Sequence, residues 1–209
     1  MTSDEPAPRS RRAQALDGVV VFVLSITAVL TAWCGFEASK WGGEMSIAFS
    51  QASSARIQAA SAEGTARDAR QYDLAIYTQW VLAEVEERDG LRTFIEERFT
   101  PEFRAAFDAW EAGGRVEPGP LTMAEYVPPG TVEAEELSAR ADAKFEEGLR
   151  LNETGDRYSL LTVVFALVLF LTALSQRNVV PWMKHALLGL GSIIGAVAVA
   201  IMLTYPVLV

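Results

Sequence analysis

The side chains that most often carry out catalysis or bind metals are scarce in this chain of 209 residues. It has one histidine, His185, and one cysteine, Cys34, whereas zinc sites and nucleophile–base pairs need several such groups together. Acidic clusters at residues 84–89 and 133–136 offer carboxylates, but no loop arranges their oxygens for calcium, and the pattern favours solvated helix faces. We therefore expect no enzymatic activity and no catalytic, metal-binding or cofactor-binding residues.

The overall charge limits the classes of partner. The chain has 27 acidic and 18 basic residues, a formal net charge of −9, so we expect no binding to the negatively charged phosphates of nucleic acids. A single cysteine also cannot build a disulfide-stabilised domain. The polar chemistry of the sequence therefore indicates neither a nucleic-acid-binding protein nor a small disulfide scaffold.

The distribution of charge along the chain predicts membrane spans. All Asp, Glu, Lys and Arg residues lie outside three windows, residues 18–36, 158–176 and 185–209. A helix that crosses a bilayer needs about 20 mostly apolar residues. We therefore predict three transmembrane helices, at residues 18–36, 158–176 and 186–204, with the lipid bilayer as the first partner.

The orientation of these spans follows from the positive charges of the short segments. A basic tail at residues 1–17 and a loop at residues 177–185 lie on the same side of the membrane, and both are predicted to be cytoplasmic. Positive charges near the membrane are about equal in number on the two sides, but long segments have little weight in this rule. Residues 37–157 are then extracytoplasmic, and residues 205–209 form a short C-terminal tail. If the cell is bacterial, this long segment is periplasmic.

An alanine repeat indicates close helix packing in the aqueous segment. Seven alanines follow one another at alternating steps of four and three residues, which places them on one face of a helix. We call this face the alanine seam, and it consists of Ala48, Ala52, Ala55, Ala59, Ala62, Ala66 and Ala69. Small side chains allow two helices to approach closely.

A second face with the same spacing lies nearer the second span. It consists of Ala134, Ser138, Ala141, Phe145, Gly148, Asn152, Gly155 and Ser159. The two faces predict an extended, coiled-coil-like antiparallel hairpin that rises from the membrane. Two alternatives remain open, a surface helix that is merely rich in alanine and a seam that contacts another subunit. Asn152 either sets the register of the hairpin or faces water.

A small helical head is predicted at about residues 90–130. Thr100 and Pro101 are a typical N-cap and first helical residue. The helix that follows carries aromatic residues at helical spacing, a pattern typical of a core: Phe99, Phe103, Phe107 and Trp110. The proline-rich stretch 115–130 is predicted to be a loop that covers this core with Leu121, Met123, Tyr126 and Val127.

The third span carries residues that favour helix association. Gly191 and Gly195 are four residues apart, and Ala196 and Ala200 continue the small face. Such faces support close packing within or between subunits. Hydroxyl side chains are also present in the middle of the spans, and in an oligomer they offer an alternative role as a channel lining: Ser25, Thr27, Thr31, Thr162, Thr172 and Ser192.

Three short motifs carry a resemblance to a known group of proteins. They are Glu37-Ala38-Ser39-Lys40-Trp41, Thr100-Pro101-Glu102-Phe103 and Asp156-Arg157-Tyr158. With these motifs the chain resembles a family of uncharacterised bacterial inner-membrane proteins with three spans and an aqueous helical insert after the first. The resemblance covers most of the chain and implies this topology and a bacterial origin. It implies no activity, cofactor or catalytic residue.

Taken together, these patterns predict an all-α membrane protein with three transmembrane helices, a helical hairpin and a small head. The expected function is structural or interactive, through self-association into a homo-oligomer or through binding of another membrane or envelope protein. The alternative is an oligomeric channel or a transport-accessory subunit.

Overall fold

The computed structural model describes residues 11–177 and 180–208, and within these ranges every regular element is helical. Five α-helices and one short 3₁₀ turn, at Pro120–Thr122, follow one another along the chain. The α-helices are α1 (Arg11–Val85), α2 (Asp89–Glu96), α3 (Pro101–Ala112), α4 (Thr131–Ser175) and α5 (Pro181–Met202). The prediction of an all-α fold is confirmed. Most of the predicted basic tail, and residues 178–179 of the predicted loop, lie outside the described residues.

Three of the described helices, α1, α4 and α5, each contain a stretch that is long and apolar enough to cross a membrane. These helices contain most of the residues predicted to form the three spans. Large apolar side chains of these stretches face outward, as expected of a surface in contact with lipid. They include Phe22, Val29, Leu160, Val163, Phe170 and Ile193. The chain is therefore consistent with a multi-pass helical membrane protein.

The chain divides into two compact units. The apolar unit comprises Met1–Ile47 and Glu147–Val209, and the acidic unit comprises Ala48–Glu146. Nineteen acidic and ten basic residues belong to the acidic unit. Helices α1 and α4 each contribute to both units.

The core of the apolar unit consists of residues from α1, α4 and α5. Its buried members are Cys34, Trp41, Tyr158, Leu161, Phe165 and Ala198. Helix α1 continues without a break through Gly42 and Gly43, although two adjacent glycines weaken a helix. Close van der Waals packing of these side chains between the helices holds this unit together.

The core of the acidic unit is aromatic and joins the end of α1 to the head. Its buried aromatic members are Trp80, Phe99, Phe103, Phe107, Trp110 and Tyr126. The rings of Trp80 and Phe107 meet edge to face with centroids 4.9 Å apart, and those of Phe99 and Phe103 with centroids 4.8 Å apart. These are favourable geometries for aromatic pairs, and each pair contributes about 1 kcal/mol beyond its burial.

Local sequence signals explain where the helices of the head begin. The Thr100 hydroxyl accepts a hydrogen bond from the Phe103 backbone N–H at 3.2 Å and Pro101 follows it, so α3 begins as its sequence predicts. Helix α1 ends at Val85, Glu87 has a positive φ of 56°, and α2 begins at Asp89. Gly90 itself is helical.

One of the four residues predicted to cover the aromatic core, Val127, does not cover it. Leu121, Met123 and Tyr126 pack on or within the core, whereas Val127 is exposed. Tyr126 and Pro128 are both buried. Alternate residues of an extended segment point in opposite directions, so Val127, between them, points to solvent.

Candidate functional site

The alanine seam lies mostly at buried positions of α1. Five of its seven members are buried, and Ala66 and Ala69 are half-buried. The buried members are Ala48, Ala52, Ala55, Ala59 and Ala62, each at most 6% exposed. The seam therefore packs against other parts of the chain over most of its length.

The second predicted face is buried at only some of its positions. Ala134, Ala141 and Gly148 are buried, and each is seven residues from the next. Phe145 is half-exposed, with its ring centroid 5.3 Å from that of Phe49. Ser138 and Ser159 are exposed and Gly155 is buried. Asn152 donates to the Asp156 carboxylate at 3.1 Å, one turn along its own helix.

Several contacts join α1 to the beginning of α4 within the acidic unit. The closest is at Gly130, just before α4, where an added Cβ would lie 2.5 Å from the Ala62 carbonyl oxygen. Farther along, the Arg56 guanidinium lies 3.5 Å from the Asp142 carboxylate and above the Phe145 ring. The two backbones approach so closely because alanine and glycine occupy the contact.

The small residues of the third span divide into two groups. A Cβ on Gly191 would lie 3.4 Å from the Thr172 hydroxyl, and one on Gly195 would lie 3.5 Å from Val168. These two glycines therefore pack against α4 of the same chain. Ala196 and Ala200 are exposed and do not share this contact.

Three of the six span hydroxyls donate hydrogen bonds to backbone carbonyls of their own helices. Thr31 donates to the Thr27 carbonyl at 2.8 Å, Thr162 to that of Tyr158 at 3.1 Å and Thr172 to that of Val168 at 2.8 Å. Ser25 and Ser192 are exposed. Thr27 and Ser192 line one cleft between α1, α4 and α5.

A buried carboxylate, Glu37, lies one residue beyond the first predicted span. It is 0% exposed, and its Oε2 accepts the Leu208 backbone N–H at 2.9 Å. Its Oε1 and the Trp41 indole nitrogen are both buried, and neither has a hydrogen-bond partner among the described residues. Because a buried polar atom without a partner costs free energy, Glu37 is a candidate functional residue at the edge of the membrane.

The residues after α5 are held by this carboxylate and by one tyrosine. The Tyr158 hydroxyl donates to the Pro206 carbonyl at 3.1 Å, and its ring meets that of Tyr205 edge to face. Two residues after Pro206, the Leu208 backbone N–H donates to the Glu37 carboxylate. The segment after α5 is thus fixed at two points against α1 and α4 of the apolar unit.

A second buried carboxylate, Asp73, links the elements of the acidic unit. It is 0% exposed, and it accepts hydrogen bonds from the Thr100 and Tyr126 hydroxyls, both at 2.8 Å. Burial and the hydrogen bond to Asp73 raise the pKa of Tyr126. Asp73 therefore fixes the cap of α3 and the loop after it to α1.

A single arginine, Arg115, forms ion pairs with two glutamates beside the aromatic core. Arg115 lies 2.7 Å from the Glu84 carboxylate and 2.6 Å from that of Glu111. Hydrogen bonds to these carboxylates raise the pKa of Arg115 further above its usual range. Its guanidinium also lies over the rings of Trp80 and Trp110, about 5 Å from each centroid.

The described residues offer little reactive geometry around these groups. Among them, no group of three or more histidine, cysteine, aspartate or glutamate side chains is placed to hold a metal ion. A cleft of about 190 Å³ between α1, α4 and α5 is lined by apolar side chains with the hydroxyls of Thr27 and Ser192. This arrangement suits packing and contact with lipid better than acid–base chemistry.

The two buried carboxylates were not identified from the sequence pattern. Glu37 shares a helix face with Cys34 and Trp41, and Asp73 precedes an apolar stretch with few charges. A charged residue at a helical core position is a signal for such a role.

Comparisons with protein-family models, curated proteins and solved structures gave no match.

Proposed function

We propose that this chain is a non-enzymatic, three-span protein of the bacterial inner membrane, with a cytoplasmic N-terminus. It presents a coiled-coil-like acidic helical hairpin for self-association or for binding another envelope protein. The resemblance to three-span inner-membrane proteins with a helical insert agrees with this proposal.

The observation that carries the proposal is the surface of α1 in the acidic unit. One face of the helix is closely packed through alanines, yet another face keeps four large apolar side chains in solvent. They are Leu74, Val81, Leu82 and Val85, between 37% and 77% exposed. Several large apolar side chains exposed on one helix of an aqueous unit favour a protein-interaction surface.

The first test is the composition of the purified protein. The full chain is extracted in a mild detergent, and its mass is measured by light scattering with correction for bound detergent. We expect a discrete complex, either of identical chains or with one other envelope protein in fixed ratio. A well-folded monomer without a partner would contradict the proposal.

A second candidate function, a channel or transport-accessory subunit, is favoured by Glu37 alone. A buried ionisable group at the edge of a span is a common feature of ion and proton pathways. Purified protein in liposomes separates the two functions, with the Glu37→Gln variant as the matched control. Ion or proton flux that the variant abolishes would support transport. Silent liposomes that contain folded protein would support the interaction role.

A further inference from the structure

The burial of Glu37 depends on residues that follow α5. The Leu208 backbone N–H donates to its Oε2 at 2.9 Å, and its Oε1 is buried without a hydrogen-bond partner among the described residues. A carboxylate in water accepts several hydrogen bonds. The folded chain therefore gives this group fewer hydrogen bonds than water would, and its burial costs free energy.

The segment that contacts this carboxylate is attached at few points. We call residues 203–208 the strap. Besides the bond to the buried carboxylate, the strap accepts a hydrogen bond at the Pro206 carbonyl from the Tyr158 hydroxyl, at 3.1 Å. Tyr205 and Leu208 pack on the core of the apolar unit but are only half-buried, and Pro206 is exposed. The described contacts thus hold the strap mainly by two hydrogen bonds and two partly buried side chains.

The other fully buried carboxylate, Asp73, is held differently. Its two oxygens accept hydrogen bonds from the Thr100 and Tyr126 hydroxyls, both at 2.8 Å. Tyr126 is itself a buried member of the aromatic core. Both oxygens of Asp73 are therefore satisfied, and one of the partners cannot leave without opening a core.

We propose that the strap opens and closes over Glu37 while α1, α4 and α5 stay packed, and that opening admits water to this carboxylate. Opening breaks two hydrogen bonds and exposes two partly buried side chains, but it restores the hydration of Glu37. Segments with few buried contacts open at a lower free energy than the whole fold. Glu37 is the first residue beyond the predicted span at residues 18–36, so the water enters at the end of the span and not through the lipid.

The strap is therefore a device that controls access to a buried carboxylate. Every contact that carries this inference lies within the apolar unit. The inference is thus independent of the proposed function, because it holds whether or not the acidic unit binds a partner.

Chemical modification of carboxyl groups measures this opening. The full chain in detergent is treated with a water-soluble carbodiimide and glycine ethyl ester, and mass spectrometry of its peptides gives the rate at which each carboxyl group becomes an amide. Glu37 should react slowly but faster than Asp73, the internal control for unfolding. Tyr158→Phe removes one hydrogen bond to the strap and should speed the modification of Glu37 about fivefold. The matched control is Ser159→Ala, which deletes a hydroxyl that donates to the Gly155 carbonyl within α4 and should leave the rate unchanged.

A second pair of variants tests the contact with the carboxylate itself. Leu208→Ala and Leu208→Pro both lose the leucine side chain, but only proline also removes the backbone N–H that binds Glu37. We expect Glu37 to react at least about tenfold faster in Leu208→Pro than in Leu208→Ala, because hydrogen bonds to charged groups are the stronger ones. The thermal midpoint of each variant confirms that it remains folded.

Three results would overturn the inference. Equal rates at Glu37 within either pair of variants would show that the contact removed there does not control access. Modification of Glu37 only together with Asp73 would show that water reaches both groups by unfolding of the whole chain. Modification of Glu37 in the unmodified chain as fast as that of exposed glutamates would show that the strap does not close over it.

Discussion

At the scale of single residues, the acidic unit depends on a carboxylate that has no contact with solvent. Asp73 binds two hydroxyls that lie 27 and 53 residues away in the sequence. A hydrogen bond to a charged group contributes about 2 kcal/mol, and loss of one partner leaves the other buried and unsatisfied. The position of the head on α1 is therefore sensitive to these three side chains.

The raised pKa of Tyr126 predicts a loss of stability at alkaline pH. The phenol ionises near pH 10 in the unfolded chain, but burial and Asp73 keep it protonated in the folded chain. Above about pH 10 the unfolded state therefore loses a proton that the folded state retains. The free energy of unfolding then falls by up to about 1.4 kcal/mol per pH unit. Below pH 10 this contribution is constant.

The measurement is the thermal midpoint of the full chain in detergent between pH 8 and pH 11, followed by near-ultraviolet circular dichroism. The Tyr126→Phe variant should have a lower midpoint at pH 8 but a shallower decline above pH 10. Tyr77, whose pKa burial also raises, remains in both proteins. Equal slopes in the two proteins would show that Tyr126 does not retain its proton in the fold.

At the scale of elements, the contact between α1 and the start of α4 requires glycine at one position. Gly130 has φ +89°, and an added Cβ would lie 2.5 Å from the Ala62 carbonyl oxygen. Gly114 also has a positive φ, +77°, but an added Cβ would meet nothing within 4 Å. We expect Gly114→Ala to cost about 1 kcal/mol, and Gly130→Ala about 2 kcal/mol more. Thermal unfolding of both variants measures the difference, and equal losses would contradict the close approach.

The alanine seam predicts a similar contrast between positions on one helix. Ala55 and Ala62 are buried, whereas Ala60 is exposed. Leucine at both buried positions forces the packed helices apart and should lower the free energy of unfolding by about 2 kcal/mol or more. Ala60→Leu should change it by less than about 0.5 kcal/mol. Unchanged stability and assembly of the Ala55→Leu, Ala62→Leu double variant would refute tight packing along the seam.

At the scale of the whole molecule, the proposed topology places the head and the loop after α4 on opposite sides of the membrane. Val116 and Val180 are exposed, and each is replaced by cysteine on a Cys34→Ser background. In intact spheroplasts an impermeant maleimide should label Val116→Cys. Val180→Cys should react only after lysis. The reverse pattern would invert the orientation.

The properties that the sequence determined by itself are those set by neighbouring residues. Three stretches have no acidic or basic residues, are mostly apolar and are long enough to cross a bilayer. These properties do not depend on the tertiary fold, so three candidate spans follow from composition alone. Helix periodicity and capping are equally local, and they explain the all-α fold and the start of α3 at Thr100 and Pro101. The alanine repeat predicted a packed face but not which residues lie against it.

Only the tertiary structure decided the roles of residues whose partners are distant in the chain. Glu37 binds a backbone N–H 171 residues later, and Asp73 binds hydroxyls from the head. Leu74 is exposed while Ile76, on the same apolar stretch, packs on the core. Which face of a helix is covered depends on what the chain folds against it. Local sequence determines which residues share a helix face, but not which part of the chain packs against that face. This packing decides whether a carboxylate on the face is buried and whether an apolar side chain on it is exposed.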